Sequence, residues 1–154
     1  MTTVTASEYG PDLTAEVIKR WGYPRVARDL RTRRRGKIVL LATRQGVAAG
    51  FVEAQHGREL DDRGDLQGST GTGTEISEIF VDATFRREGV GGELLDAAFE
   101  AARAHGDRAI FLYTWRGPGR VDMHVRLAAF ESWGMTRTTP ATDADPVVFC
   151  KSIP

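Results

Sequence analysis

One run of residues carries the clearest chemistry in this chain: Arg86-Arg87-Glu88-Gly89-Val90-Gly91-Gly92, set just after the apolar segment Ile76–Val81 and leading into an amphipathic stretch. The first turn of a helix has N–H groups with no partner inside the helix, and it carries a partial positive charge. Glycines let a ligand approach that backbone, and guanidinium groups offer forked donors to phosphate oxygens. The run is therefore a candidate phosphate site at a helix start. It is not a Walker A loop, because no Gly-Lys-Ser/Thr follows. Nor is it a dinucleotide fingerprint, because Leu94 stands where the third glycine belongs. Gly68–Thr74 is rich in Gly, Ser and Thr but has no lysine and leads into a strand, so it reads as a loop.

The elements that must position this run follow from periodicity and punctuation. Asp12–Trp21 and Arg25–Arg34 read as short helices separated by Gly22-Tyr23-Pro24. Lys37–Thr43 and Val47–Ala54 read as a hairpin, and Gly57–Thr74 as a polar loop. Glu75–Val81 is a strand, Gly89–His105 a helix stopped by Gly106, and Arg108–Trp115 a strand apolar enough to be buried on both faces. Asp122–Trp133 is a helix, and Met135–Thr139 and Pro146–Ile153 are the last strands. A strand–helix–strand unit implies a parallel pair. The expected class is α/β (α+β), a single domain over residues 1–154, with a mixed, mostly antiparallel sheet around a central parallel pair and about four flanking helices.

Composition excludes several classes. With 154 residues, 41% hydrophobic and 27% charged, the chain is ordinary for a soluble globular domain. Its net charge is zero, so no global field draws it to nucleic acid. The basic segment Arg25–Lys37 has seven cations in 13 residues but no interleaved aromatics, and reads as a solvated helix or a phosphate contact. Apolar stretches such as Ile38–Ala42 are too short to span a bilayer. One cysteine, Cys150, allows no internal disulfide. Met1–Gly10 lacks the features of a signal peptide, so a cytoplasmic location is expected. His56, His105 and His124 show no metal-ligand spacing, and no metal is expected.

The pattern Val81-x₄-Arg86-x-x-Gly89-x-Gly91, between a strand and a long helix, resembles motif A of the GNAT superfamily of N-acetyltransferases. Ala109–Thr114 followed by Asp122–Trp133 and Gly134-Met135 is similar to motif B. Two short helices and a hairpin precede them in the same order, and a first strand is expected near Thr2–Ser7. The resemblance implies that the phosphate is the pyrophosphate of acetyl-CoA, the cosubstrate. N–H groups from Arg87 to Gly92 would hold it, with Arg86 and Arg87 beside it. The cofactor-contact set is then Ile79, Phe80, Val81, Arg86, Arg87, Glu88, Gly89, Val90, Gly91 and Gly92. The main chain at Phe80 and Val81 would pair with the pantetheine arm like an added strand, and the Val81 N–H would polarise the thioester carbonyl.

In the resembled family the residues four and six before the Val81 position face the acceptor. That implies Glu75 as the base and Ser77 as a partner that positions water, with Glu78 as runner-up. Simple alternation puts Glu75, Ser77, Ile79 and Val81 on one face and Glu78 on the other. The family's usual acid, a tyrosine, falls at Phe130 here, and a common upstream asparagine falls at Met123. Tyr113 and Tyr23 are the candidate substitutes. Trp21, Tyr23, Glu78 and Trp115 are the acceptor-binding candidates, and Glu59–Asp65 is an acidic segment suited to a cation. The expected function is acetyl transfer from acetyl-CoA to the primary amine of a small cationic molecule such as an aminoglycoside, polyamine or amine metabolite. Two alternatives stand beside it: a protein or peptide N-acetyltransferase, and a non-catalytic acyl-CoA-binding module, given Phe130. A homodimer is the oligomer considered.

Overall fold

The chain reverses at Gln45-Gly46, where both residues take positive φ (51° and 78°), the two-residue turn whose twist matches a hairpin. The computed structural model describes residues 2–6, 12–32, 35–60, 71–114, 123–137 and 147–154. That hairpin joins β2 (Lys37–Arg44) to β3 (Val47–Glu59). Around it lie β1 (Thr2–Ala6), β4 (Thr72–Val81), β5 (Ala109–Thr114), β6 (Thr136–Arg137) and β7 (Val147–Ser152). The helices are α1 (Asp12–Arg20), α2 (Pro24–Thr32), α3 (Val90–His105) and α4 (Met123–Ser132). One sheet holds all seven strands in the order β1-β2-β3-β4-β5-β7-β6. Every neighbouring pair is antiparallel except β4 and β5. This is the mixed sheet with a central parallel pair that the element order implied.

Two apolar layers cover the sheet. On one face, Val90, Leu94, Leu95, Ala98 and Ala102 of α3 meet Leu40, Val52, Ile76, Ile110 and Leu112, and Phe130 of α4 joins them. On the other face, Ile18 of α1 and Val26 and Leu30 of α2 pack on Val39 and Phe51. The strands run further into the predicted polar loop than expected: β3 continues to Glu59 and β4 starts at Thr72. Gly57 and Gly73 are strand residues. Gly57, with φ of 72°, sits where the β3–β4 register slips between Gln55 and Arg58. Gly73 is in a crowded spot, where a Cβ would come within 2.7 Å of Leu60. Trp115, the Arg116–Arg120 loop and most of the Glu59–Asp65 segment lie outside the described residues.

Two irregularities in β4 shape the site. Glu78 pairs with Glu53 and Ile76 with Ala54, so Ser77 is an extra residue, a β-bulge. Beyond Ile76↔Leu112, β4 keeps its pairing with β3 but has no described pairing with β5. The parallel pair therefore opens like a fork toward the start of α3.

At the other end of the sheet, Asp107 closes the α3–β5 turn. Its buried carboxylate accepts from Thr72 Oγ1 (2.6 Å), Thr74 Oγ1 (2.6 Å) and the Gly57 N–H (3.3 Å). Burial alone would raise this carboxyl. The three hydrogen bonds and the His105 charge outweigh burial and hold it below the ordinary aspartate range. His56 belongs to β3 and joins this clamp through Thr74 Oγ1 (2.8 Å).

Candidate functional site

The turn between β4 and α3 builds the candidate anion site. Asp82 caps a single 3-10 turn (Ala83–Phe85), its Oδ1 accepting from the Thr84 N–H (2.9 Å) and its Oδ2 from the Trp21 indole (2.9 Å). The Thr84 backbone bond, the Trp21 bond and nearby Arg86 hold the Asp82 carboxyl below its ordinary range. Arg87 (φ 65°) and Gly89 (φ 83°) are both left-handed, a sequence of turns that aims successive N–H groups into one concavity. The first helical bond runs from the Glu93 N–H to the Gly89 carbonyl (3.1 Å), so the N–H groups from Val90 to Gly92 have no partner one turn back. Arg86 and Arg87 are exposed beside them, and Arg86 Nε donates to the Val81 carbonyl (3.3 Å). The residues expected at a pyrophosphate are thus brought together. Val90 is 1% exposed, so only its main chain can contribute.

Three residues that the sequence reading did not single out support this turn. Arg44, at the end of β2, donates to the Glu88 carbonyl and pairs with Glu88 (3.4 Å) and Glu93 (3.7 Å). Gly50 of β3 lies so close that a Cβ there would come 2.4 Å from the Phe80 carbonyl oxygen. The Trp133 indole, at the end of α4, covers Gly91 and Gly92. A Cβ on Gly91 would come 2.4 Å from that ring and one on Gly92 3.3 Å. Gly91→Ala is therefore expected to cost about 1–3 kcal/mol by overpacking, measured by urea denaturation. Gly89 has open space around it, and its need for glycine comes from its φ.

The bulge corrects the face assignment on β4. Ile79 and Val81 pack against the α3 layer, whereas Phe80 packs against the α1–α2 layer. Glu78 shares Phe80's face, and so do Ser77, which reaches Glu53, and Glu75, which pairs across from Phe111. Glu75, Ser77 and Glu78 therefore lie together, and Ile79 and Val81 lie on the opposite face. Alternation was the wrong rule across an extra residue. Glu75 is half-buried, with Arg58 at 3.8 Å. Tyr113 is on β5, its ring edge-on to Phe111 at 5.8 Å.

An aromatic wall borders these groups. Trp21 stacks on Phe51 (6.1 Å) and leans on Phe80 (5.1 Å). Tyr23 meets the same two rings at 5.1 and 5.4 Å. Trp21 is thus also a strut from the α1–α2 turn to Asp82. Phe130 is a core residue, 8% exposed, between Trp133 (5.7 Å) and Phe149 (5.3 Å).

Beneath Ser77 lies Glu53, a carboxylate of β3 with no exposure. Its Oε1 accepts from Ser77 Oγ (2.6 Å) and meets Arg25 (3.2 Å) and Lys37 (3.2 Å). Asp29 pairs with both cations, at 3.0 and 3.6 Å. Burial tends to lower the Arg25 value, but Glu53, Asp29 and Glu78 together carry it above the ordinary arginine value. In sequence Glu53 is one acid inside Phe51-Val52-Glu53-Ala54. The signal was there, because alternation puts it on Phe51's face, the face that α2 covers.

Among the described residues, His56, His105 and Asp107 offer ligand-type atoms within 4.8 Å of one another. The imidazole planes lie only 9° from parallel at 4.5 Å, so their in-plane lone pairs do not converge on one ion. Thr74 gives its proton to Asp107, so His56 Nδ1 is the donor to Thr74. This cluster is a hydrogen-bonded clamp. No described helix is long and apolar enough to cross a membrane.

Comparison with known proteins agrees with this geometry. Residues 5–127 match the family model described as the acetyltransferase (GNAT) family. No curated protein matches the chain. Among solved structures, Arabidopsis thaliana NAA60 in complex with acetyl-CoA superposes with a TM-score of 0.69 at 14% identity, covering 99% of each chain. The Escherichia coli ribosomal-protein-S18-alanine N-acetyltransferase gives 0.64 at 19% identity, covering 99% of this chain and 94% of its own. An aminoglycoside 6'-N-acetyltransferase complexed with coenzyme A gives 0.65 at 16% identity, covering 99% of this chain and 98% of its own. At such identities these structures speak for the fold.

Proposed function

The chain belongs to the GNAT acetyltransferase family, and from that premise we propose that it transfers an acetyl group from acetyl-CoA to the primary amine of a small cationic molecule, by direct attack in a ternary complex. The observation that carries this reading is the fork: β4 leaves β5 after Ile76, and the unpaired helix start with Arg86 and Arg87 stands at its mouth. The described β4–β5 register ends at Ile76↔Leu112, and the main chain at Phe80 and Val81 beyond it is proposed to take an extended thioester arm as an added strand. The Val81 N–H is the donor proposed for the thioester oxygen.

On the opposite face, Glu75 is the proposed base. An alkylamine with a pKa of about 10.4 arrives protonated near neutral pH, and a carboxylate must take that proton, directly or through water. Phe130 offers no proton to the departing sulfur. A thiol with a pKa of about 8.5 can leave as the thiolate without one. Glu78, two residues from Phe80 on the same face, and Glu75 farther along that face favour a cation with an apolar body that meets the Tyr23–Phe80 pair. A cytoplasmic location and a single domain spanning the chain fit this role.

Calorimetry with acetyl-CoA, followed by thiol release against a panel of alkylamines, polyamines, aminoglycosides and peptides, tests the reading. Submillimolar binding with amine-dependent release supports it, and no binding at millimolar ligand removes it. Each of Arg86→Ala and Arg87→Ala should weaken acetyl-CoA binding by about tenfold or more, the value of a charge-assisted hydrogen bond. A second reading, a non-catalytic acyl-CoA-binding module, is favoured by the burial of Phe130 in the core. It predicts binding with no release from any amine.

A further inference from the structure

Among the described residues, Glu53 is an acid buried at a cost. Its carboxylate is wholly buried, yet one oxygen, Oε2, has no hydrogen-bond partner among the described residues, while Oε1 takes hydrogen bonds from Ser77 and Arg25 and an ion pair with Lys37. A buried acid that leaves half its capacity unused carries a desolvation cost that a leucine at this position would avoid. It also faces Glu78 directly across the β3–β4 pair, where like charges disfavour each other. Arg25 and Lys37 balance the charge, but they do not require the contact to Ser77.

We propose that Glu53 is a positioning residue of the acceptor site: it sets the direction of the Ser77 hydroxyl so that its lone pairs face the incoming N–H. A carboxylate only accepts, so in the 2.6 Å bond Ser77 must give up its single proton to Oε1. The longer approach of Ser77 Oγ to the Glu53 carbonyl, 3.3 Å, competes for that same proton. The exposed side of Ser77 Oγ then carries only lone pairs. Such a hydroxyl receives an ammonium or amine N–H, or a water that holds one, and it offers nothing to a ligand that can only accept. The bulge makes the arrangement possible, because it keeps Ser77 and Glu78 on one face with Glu53 beneath. Arg25 and Lys37 hold that same oxygen, Oε1, tying its position to α2 and β2. The acceptor is therefore selected as a hydrogen-bond donor at this point. This inference rests on the acetyl-transfer reading above.

The test compares wild type, Ser77→Ala, Glu53→Leu, Glu53→Gln and the Ser77→Ala/Glu53→Leu double variant as full chains. Acetyl-CoA affinity is read by calorimetry, and KM and kcat by thiol release with the best amine of the panel. Acetyl-CoA affinity should stay within about twofold of wild type throughout, because the phosphate turn is not involved. The amine KM should rise about tenfold or more in Ser77→Ala and in Glu53→Leu, with a smaller change in kcat. Glu53→Gln should rescue most of that loss, because its amide oxygen can still accept from Ser77. The double variant should be no worse than the poorer single one, since both break the same contact. A wild-type KM in Ser77→Ala, or additive losses in the double variant, overturns the inference. Ser77 is exposed, so Ser77→Ala decides the matter even where Glu53→Leu fails to fold. If wild type binds no acetyl-CoA or releases no thiol with any amine, the acetyl-transfer reading itself fails. Turnover in wild type with an unmoved KM in Ser77→Ala removes the Glu53 role alone.

Discussion

Glu75→Gln is expected to lower kcat/KM for amine acetylation near neutral pH by about 10²–10⁴-fold, the usual contribution of a positioned base. Glutamine keeps the shape of the side chain and its place opposite Phe111, but it cannot take a proton. The deficit should shrink as pH rises toward the amine's own pKa of about 10.4, because solvent then supplies the neutral nucleophile. Rates of thiol release measured across pH for the wild type and the variant check this. A deficit of the same size at every pH points to lost packing or lost pairing with Arg58, and no deficit removes Glu75 from the proton path. The acetyl-CoA affinity of the variant should match wild type, since the residue lies on the face away from Val81 and the α3 layer.

Asp107→Ala is the substitution expected to cost the most stability, about 3–5 kcal/mol, as when one partner is removed from a buried charged network. It strips Thr72, Thr74 and the Gly57 N–H of their shared acceptor and loosens the joint between β3, β4 and the α3–β5 turn. Urea denaturation near neutral pH gives the number. The sign with pH follows from the depressed carboxyl of Asp107. Its stabilisation is complete above the unfolded aspartate value of about 3.9 and is lost as pH falls through the lower folded value. Wild type should therefore lose stability below about pH 4, and Asp107→Asn should show a flatter acid limb over that window. Equal acid limbs would assign the loss to other carboxylates.

Local signals carried far in this chain. Gly106, with φ of 92°, stops α3 as its position after His105 implied, and the apolar run Ala109–Leu112 is buried as expected. The β4–α3 turn was legible because every part of it is local: a strand end, two arginines and glycines in one short stretch. What escaped depends on partners distant in sequence. Glu53 reads as an acid on a strand until Arg25 and Lys37 arrive from α2 and β2. That Gly91 also makes room for the Trp133 indole of α4 leaves no trace in its own stretch of sequence. The glycines at 57 and 73 read as loop, whereas one serves a bulge and the other a close approach within the sheet. The face error on β4 has the same root, because a bulge is set by pairing with β3 and leaves no mark on the alternation of a single strand.

That extra residue has a consequence for how this protein can change over generations. With Ser77 deleted, Ile76, Glu78, Ile79, Phe80 and Val81 would alternate without a break, and each would keep the face it now occupies. The hydrophobic pattern is indifferent to its presence. A codon lost at this point would remove the Ser77 hydroxyl while leaving the β4–α3 turn and the alternation of β4 in place. Under the proposed acetyl transfer, a single in-frame deletion is thus a short route to a descendant expected to fold and to bind acetyl-CoA while taking its amine more weakly.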